Sequence, residues 1–170
     1  MKTANLTFRC ELNLKIVKKN FYFIEPLEDL DEVQKIIVHH TSRTQMNAEE
    51  CHEFHQKVRG WSGIGYNFFI EKDGTIVEGR GFHVGAHAYG HNRNSIGICL
   101  TGDFDIELPT SSQFSSFLQL CHHIMRLYNL EPHQVIGHRE LDGVTKSCPG
   151  LLFNVNQMRD DIKGYIHSSI

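Results

Sequence analysis

The chain has 170 residues, of which 40% are hydrophobic and 22% charged, and its formal net charge is −3 with histidine neutral. This composition is typical of one globular domain with its own core, and it excludes the strongly basic surface expected of a nucleic-acid-binding protein. Five cysteines, an odd number without regular spacing, argue against a disulfide framework and for synthesis in a reducing compartment.

The first 33 residues differ in character from the rest and predict a β-rich extension. Apolar and polar residues alternate from Leu12 to Ile16, and the run Phe21–Ile24 follows, a pattern of two strands joined in a hairpin around Lys19-Asn20. Charged residues interrupt the N-terminal apolar residues, so no stretch is long enough for a signal peptide or a membrane span. We therefore expect a protein made in the cytoplasm, whose residues 1–33 add strands at a sheet edge or contact a partner or the cell wall.

From residue 34 to residue 170, predicted strands alternate with predicted helices. The strands are expected at 35–41, 66–71, 75–78, 95–101 and 134–137, and the helices at 47–59, 110–128 and 155–166. Asp73-Gly74 is a strong hairpin signal, and the helices at 47 and 110 each begin with a capping-box pattern. The Gly- and His-rich stretch 81–93 is expected to be a functional loop. The alternation indicates an α/β domain with a central sheet.

Two histidine positions and one cysteine suggest a zinc site. His138 ends a short apolar run, and Cys148 follows ten residues later in a loop bounded by glycine and proline. Upstream, His39 and His40 end another apolar run, and because neighbouring strand residues face opposite sides, only one of the two can face the site. Two imidazoles and one thiolate leave a fourth zinc position open for water, as in catalytic sites. Taken singly, each histidine is a polar residue at a strand end and the cysteine a small buried hydrophobe.

Between Ile36 and Leu152 the chain carries a series of short motifs in a defined order. They occupy residues 65–75, 78–81, 85–88, 92, 95–98 and 102–104. In this order they resemble the type 2 N-acetylmuramoyl-L-alanine amidases, a family that includes phage amidase endolysins and peptidoglycan recognition proteins. The resemblance implies an α/β fold with a central mixed β-sheet flanked by helices. Residues 1–33 lie outside it as an extra N-terminal β segment, beside a zinc amidase domain at 34–170.

The resemblance also implies which residues hold the metal. The family's first ligand is the first histidine of its Val-His-His motif, which is His39 here. The histidine of Gly-His-Arg gives His138, and the cysteine before Pro-Gly gives Cys148, so that three ligands would bind one Zn²⁺ ion. Recognition proteins that bind peptidoglycan without cleaving it typically replace this cysteine, often by serine. The presence of Cys148 therefore favours an enzyme.

Four further residues take roles from the same resemblance. The family's catalytic tyrosine, in Gly-Tyr-Asn-Phe, matches Tyr66, and the lysine two residues before the ligand cysteine of phage enzymes matches Lys146. A lysine there can stabilise a developing oxyanion, and the tyrosine can position water or pass a proton. The family's substrate groove passes the loop that holds His87 and Asn92, which are therefore expected to bind glycan or stem peptide.

One interval departs from the family. The distance along the chain from His138 to Cys148 is longer than is usual in the family, and Asp142-Gly143 suits a turn that absorbs the excess. The placement of Lys146 depends on that turn.

The expected function is zinc-dependent hydrolysis of the amide bond between the lactyl group of N-acetylmuramic acid and L-alanine in peptidoglycan. We expect a monomer that binds peptidoglycan or muropeptides and no nucleic acid, and that acts on the wall after release or on cytoplasmic muropeptides. Two alternatives remain: a non-catalytic peptidoglycan-binding module, and an interaction protein that regulates another enzyme. A structural zinc protein would need a fourth ligand, and the nearby candidate, His40, should face away.

Overall fold

The computed structural model describes residues 14–169, and the six strands found there form one mixed sheet. The strands are β1 (Ile16–Lys18), β2 (Lys35–His40), β3 (Phe68–Ile70), β4 (Ile76–Glu78), β5 (Ser95–Leu100) and β6 (Val135–Gly137). Their order across the sheet is β1-β4-β3-β5-β2-β6. The β3–β4 pair is antiparallel, whereas the other described pairs are parallel.

Three helices flank the sheet: α1 (Ala48–Lys57), α2 (Ser111–Tyr128) and α3 (Val155–Ser168). Both predicted capping boxes are present, at the start of α1 and of α2. In the first, the Asn47 side chain accepts from the backbone N–H of Glu50 at 2.8 Å and the Glu50 carboxylate accepts from the backbone N–H of Asn47 at 2.9 Å. The prediction of a mixed sheet flanked by helices is therefore confirmed.

The two faces of the sheet bury different helices. Side chains of β2, β5 and β3 on one face, such as Val38 and Ile98, pack in a large core with α2 and α3. On the other face Phe69 and Cys99 join a smaller core with α1. His39 is in register with Cys99, which is in register with Phe69. His39 therefore lies on the α1 face, and His40 on the opposite one.

The β3–β4 hairpin and the following loop agree with the sequence. The backbone N–H of Glu71 donates to the carbonyl of Thr75 at 2.9 Å, and Gly74 adopts the left-handed φ of 88° that the turn requires. Residues 79–94, between β4 and β5, contain no helix or strand. Across residues 14–169, no helix combines the length and the apolar character needed to cross a bilayer.

The described part of the N-terminal segment joins the fold differently from the prediction. β1 pairs in parallel with β4. The predicted second strand, and with it the hairpin, is wrong: residues 21–24 are irregular. Phe21 and Phe23 instead pack against the smaller core, and the ring of Phe21 stacks on His52 of α1 at 4.6 Å between centroids. Leu12 lies outside the described residues, and the division of the chain at residue 33 stays a prediction.

Candidate metal centre and cleft

A cleft with a volume of about 350 Å³ opens at the carboxyl ends of β2 and β6. In α/β sheets this end of parallel strands is where ligands usually bind. The lining residues come from β2 and the segment after it, from α1 and the segment that joins it to β3, and from the loops after β4 and β6. They are His39, His40, Thr41, Ser42, Arg43, Met46, Cys51, Phe54, His55, Arg59, Trp61, Tyr66, His87, His138, Lys146 and Cys148. Arginine and lysine are among these lining residues, and no carboxylate is.

Three of the lining side chains have the arrangement of a metal site. The donor atoms of His39, His138 and Cys148 all lie within 4.8 Å of one another. The Sγ atom of Cys148 is 3.6 Å from Nδ1 of His39. Zinc–sulfur and zinc–nitrogen bonds of ordinary length, at a tetrahedral angle, would place these two atoms about 3.6 Å apart. The donor set and its spacing therefore fit zinc, and the cleft leaves the remaining coordination position accessible.

The loop that carries Cys148 is held from two sides. The backbone N–H of Arg139 donates to the carbonyl of Cys148 at 2.7 Å, and its guanidinium donates to the carbonyl of Ser147 at 3.2 Å. Opposite, the carboxylate of Asp105 accepts from the Ser147 hydroxyl and from the backbone N–H of Leu151, both at 2.8 Å. Neither Arg139 nor Asp105 was predicted from the sequence, although the Gly-His-Arg motif places Arg139 beside a ligand.

The extra residues between His138 and Cys148 form the expected turn. The backbone N–H of Val144 donates to the carbonyl of Leu141 at 3.2 Å, and Gly143 has a left-handed φ of 78°. The predicted turn at Asp142-Gly143 is therefore present. Lys146 follows this turn with an exposed side chain that lines the cleft.

The electrostatic environment keeps all three donors uncharged. Burial lowers the pKa of His39 well below its usual value, with the neighbouring imidazoles of His87 and His138 acting in the same direction. Burial likewise lowers the pKa of His138, and Lys146 adds to the effect. Burial raises the pKa of Cys148 to about 11. The histidines are therefore ready to bind a cation, whereas the thiol must first lose its proton.

Tyr66 lies beside the donor atoms. Its ring centroid is 5.2 Å from that of His39, and its side chain lines the cleft. Burial raises the pKa of its hydroxyl well above the usual value. The hydroxyl therefore stays protonated at neutral pH and can donate a hydrogen bond.

His87 and Asn92 occupy the loop after β4 in unequal positions. His87 is buried at the cleft, with Nδ1 2.9 Å from Nε2 of His39 and Nε2 3.3 Å from Oγ of Ser95. The amide oxygen of Asn92 accepts from the backbone N–H groups of His87 at 2.8 Å and Ala88 at 3.0 Å. A role of either residue in substrate binding stays a prediction.

The other histidines near the cleft bind backbone groups. Nδ1 of His40 accepts from the backbone N–H of Phe104 at 3.0 Å, on the side of the sheet away from the three donors. His52 and His55 of α1 accept through Nδ1 from the backbone N–H groups of residues 64 and 65, at 3.1 and 2.9 Å. Of these rings, those of His40 and His55 line the cleft.

The rim on the α1 side carries cations and aromatic rings. The guanidinium carbons of Arg43 and Arg59 lie 5.1 and 5.7 Å from the ring centroid of Phe54, within cation–π range. Trp61 is 37% exposed nearby in the lining. These residues come from separate segments without a shared motif, so the sequence offered no signal for the group.

The chain is similar to amidases and peptidoglycan recognition proteins. A family model described as N-acetylmuramoyl-L-alanine amidase matches residues 29–151. The solved structure of the endolysin amidase LysCS from Clostridium intestinale URNW is similar with a TM-score of 0.81 and 35% identity, over 88% of this chain and 95% of that one. Peptidoglycan-recognition protein LB of Drosophila melanogaster is 33% identical over 159 residues, which are 87% of this chain and 65% of that protein.

The mammalian relatives are much longer than this chain. The N-acetylmuramoyl-L-alanine amidase of Homo sapiens is 35% identical over 130 residues, covering 68% of this chain and 22% of the relative. That of Sus scrofa is 39% identical over 113 residues, covering 64% of this chain and 19% of the relative. The chain thus spans about a fifth of the length of these curated relatives.

Proposed function

The chain belongs to the N-acetylmuramoyl-L-alanine amidase family, and from that premise we propose that it cleaves peptidoglycan as a zinc amidase. The bond cleaved is the amide between the lactyl group of N-acetylmuramic acid and L-alanine. The observation that carries the proposal is the convergence of His39, His138 and Cys148 donor atoms within 4.8 Å at an open cleft. A binding module needs no such arrangement, and catalytic zinc sites use three protein ligands with one position left open.

The three donors would hold the ion, with the thiol of Cys148 binding as thiolate. A zinc ion held there would polarise the scissile carbonyl and lower the pKa of a water molecule to about 7. Arg139 and Asp105 hold the Cys148 loop in place through their hydrogen bonds to residues 147 and 148. Cys148 therefore sits on fixed backbone, as accurate placement of a reacting group requires.

Lys146 supplies a positive charge and Tyr66 a hydrogen-bond donor for the reaction. The Lys146 ammonium, at the cleft, stabilises the negative charge that develops on the amide oxygen during attack. The Tyr66 hydroxyl, protonated at neutral pH, donates a hydrogen bond that orients the attacking water or the reacting amide. At the α1 rim, Arg43 and Arg59 suit the carboxylates of an acidic stem peptide.

Replacing Tyr66 by phenylalanine should lower kcat by about 10- to 100-fold, the size of one hydrogen bond to a charged group. The ring that packs near His39 is kept, so zinc content and thermal stability should match the wild type. Steady-state kinetics on a soluble muropeptide, with metal analysis of the same samples, would measure both. An unchanged kcat would remove the hydroxyl from the mechanism.

Zinc binding should release about one proton per ion at about pH 6.5. The Cys148 thiol, with its pKa raised to about 11, is protonated at that pH and must lose its proton to bind. His39, whose pKa burial lowers well below the usual value, is already neutral, and His138, whose pKa burial also lowers, is more than half neutral at that pH. Affinity should accordingly strengthen as the pH rises.

Calorimetry in buffers of different ionisation enthalpy counts the protons released. Release of two or more would mean that the histidines are charged in the metal-free protein. No release would mean that Cys148 is not a ligand or is already a thiolate.

The direct test is mass spectrometry of products from intact peptidoglycan and from soluble muropeptides. We expect free stem peptides that begin with L-alanine, lost with a zinc chelator and restored by zinc. A difference between the two substrates would tell a wall-lytic enzyme from one that acts on released muropeptides. A folded, zinc-loaded protein that binds peptidoglycan and yields no such peptide would replace the amidase by a binding module.

A further inference from the structure

We propose that His87 is a positioning residue of the metal centre: together with Ser95 it fixes which ring nitrogen of His39 is free to bind the ion. This inference rests on the proposed zinc site and gives His87 a role other than substrate contact.

The two nitrogens of the His39 ring face different neighbours. Nδ1 lies 3.6 Å from Sγ of Cys148, on the side of the three donors. Nε2 lies 2.9 Å from Nδ1 of His87, on the side of the loop after β4. A neutral imidazole carries one proton, and the bare nitrogen is the one that can bind a metal. Metal binding therefore requires the proton of His39 to sit on Nε2.

The hydrogen bonds beyond His39 enforce that choice. With its proton on Nε2, His39 donates to Nδ1 of His87, which must then carry its own proton on Nε2. That N–H faces Oγ of Ser95 at 3.3 Å, and the Ser95 hydroxyl donates to the backbone carbonyl of His91 at 2.6 Å. A carbonyl can only accept, so each group donates to the next, from His39 through His87 and Ser95 to the His91 carbonyl. Reversing it would place a proton on Nδ1 of His39, where the ion binds.

The fold is built around the His87 ring. A Cβ atom at Gly97 would come within 2.5 Å of the imidazole, and one at Gly85 would come equally close to its Cδ2 atom. Both glycines therefore leave the space that the ring fills. The amide oxygen of Asn92 accepts a hydrogen bond from the backbone N–H of His87 at 2.8 Å. The ring is thus confined by backbone on two sides, and both its nitrogens are engaged within the protein.

This arrangement is the one by which metal-binding histidines are generally oriented. The second ring nitrogen of such a ligand usually donates to a carboxylate, a carbonyl or water, and loss of that partner weakens metal binding. Here a second imidazole takes the place of the carboxylate. Being neutral, it orients His39 without adding negative charge beside the thiolate of Cys148.

The test compares two replacements of His87 in the full chain. His87→Leu fills similar space without an acceptor, and the dissociation constant for zinc should rise by about 10- to 100-fold. His87→Asn places an amide oxygen near the position of Nδ1, so its affinity should stay within a few-fold of the wild type. His55→Leu is the control: it removes another buried histidine of the cleft that accepts from backbone and should lower thermal stability without weakening zinc binding.

Two measurements separate positioning from a purely structural role. Zinc affinity is measured by competition with a chromophoric chelator, after melting curves show which metal-free variants are folded. Nitrogen NMR of the metal-free wild type should place the His39 proton on Nε2, and in His87→Leu the proton should distribute over both nitrogens. A proton on Nδ1 in the wild type, or unchanged affinity in folded His87→Leu, would overturn the proposal.

Failure of the positioning role and failure of the proposed amidase function give different results. Weakened zinc binding in His87→Leu, in a protein that yields no stem peptides from peptidoglycan, would support the positioning role and refute the proposed function. Stem-peptide release by the wild type, with unchanged zinc affinity in His87→Leu, would support the proposed function and refute the positioning role.

Discussion

Replacing Cys148 by serine is expected to abolish zinc binding at neutral pH and to lower amidase turnover by about a thousandfold or more. The thiolate is the one anionic ligand of the proposed centre, and a serine hydroxyl does not ionise to replace it. Losing the metal removes several kcal/mol of transition-state stabilisation, and about 4 kcal/mol corresponds to a thousandfold in rate. Metal analysis and product release from muropeptides would measure the two effects together.

Cys121→Ser provides the matched control. Cys121 is fully buried in α2, within the large core, so its replacement should lower the melting temperature while leaving zinc content near one ion per chain. Cys148→Ser should instead lose both its zinc and, at saturating substrate, its turnover. If Cys148→Ser kept its zinc and its turnover, the proposed ligand set would be wrong.

Lys146→Ala should lower kcat by about 100- to 1,000-fold, the usual effect of removing one group that stabilises an oxyanion. Zinc content should not change, because the ammonium lines the cleft without belonging to the donor set. The melting temperature should also hold, since the side chain is exposed. Kinetics, metal analysis and melting curves on one preparation would test all three expectations.

Lys163→Ala is the control for lost surface charge. Lys163 has a side chain 57% exposed and lies on α3, paired with Asp160, and it does not line the cleft. Its replacement should leave kcat unchanged. Equal turnover in Lys146→Ala and wild type would assign Lys146 to the solvated surface and leave oxyanion stabilisation to another group.

Local signals predicted most of the secondary structure. The capping box at Asn47 and the Asp73-Gly74 turn are encoded within a few residues, and the structure contains both. The segment 21–24 has the apolar character of a strand, yet tertiary contacts decide its conformation. Phe21 is partly buried and stacks on His52 of α1, a contact that periodicity along the chain does not reveal.

The candidate site depended on more than local pattern. Alternation along β2 could not choose between His39 and His40, and the family resemblance chose His39. The structure gives the physical reason, because the register with Cys99 of β5 sets His39 on the α1 face. The contact of His39 with His87 joins residues 48 positions apart, so spacing and composition carried no sign of it.

The ligands are distant in sequence, and this has a consequence for stability. His39 and Cys148 are 109 residues apart, so an ion bound to both closes a loop that contains most of the chain. The unfolded chain would have to close this loop to bind the ion, at a cost in conformational entropy, so the ion binds the folded state. Zinc at about 100 times its dissociation constant then adds about 2.7 kcal/mol to the free energy of unfolding. A protein whose described cysteines are all unpaired would thereby have a reversible link between residues 39 and 148, whose occupancy depends on the free zinc of its surroundings.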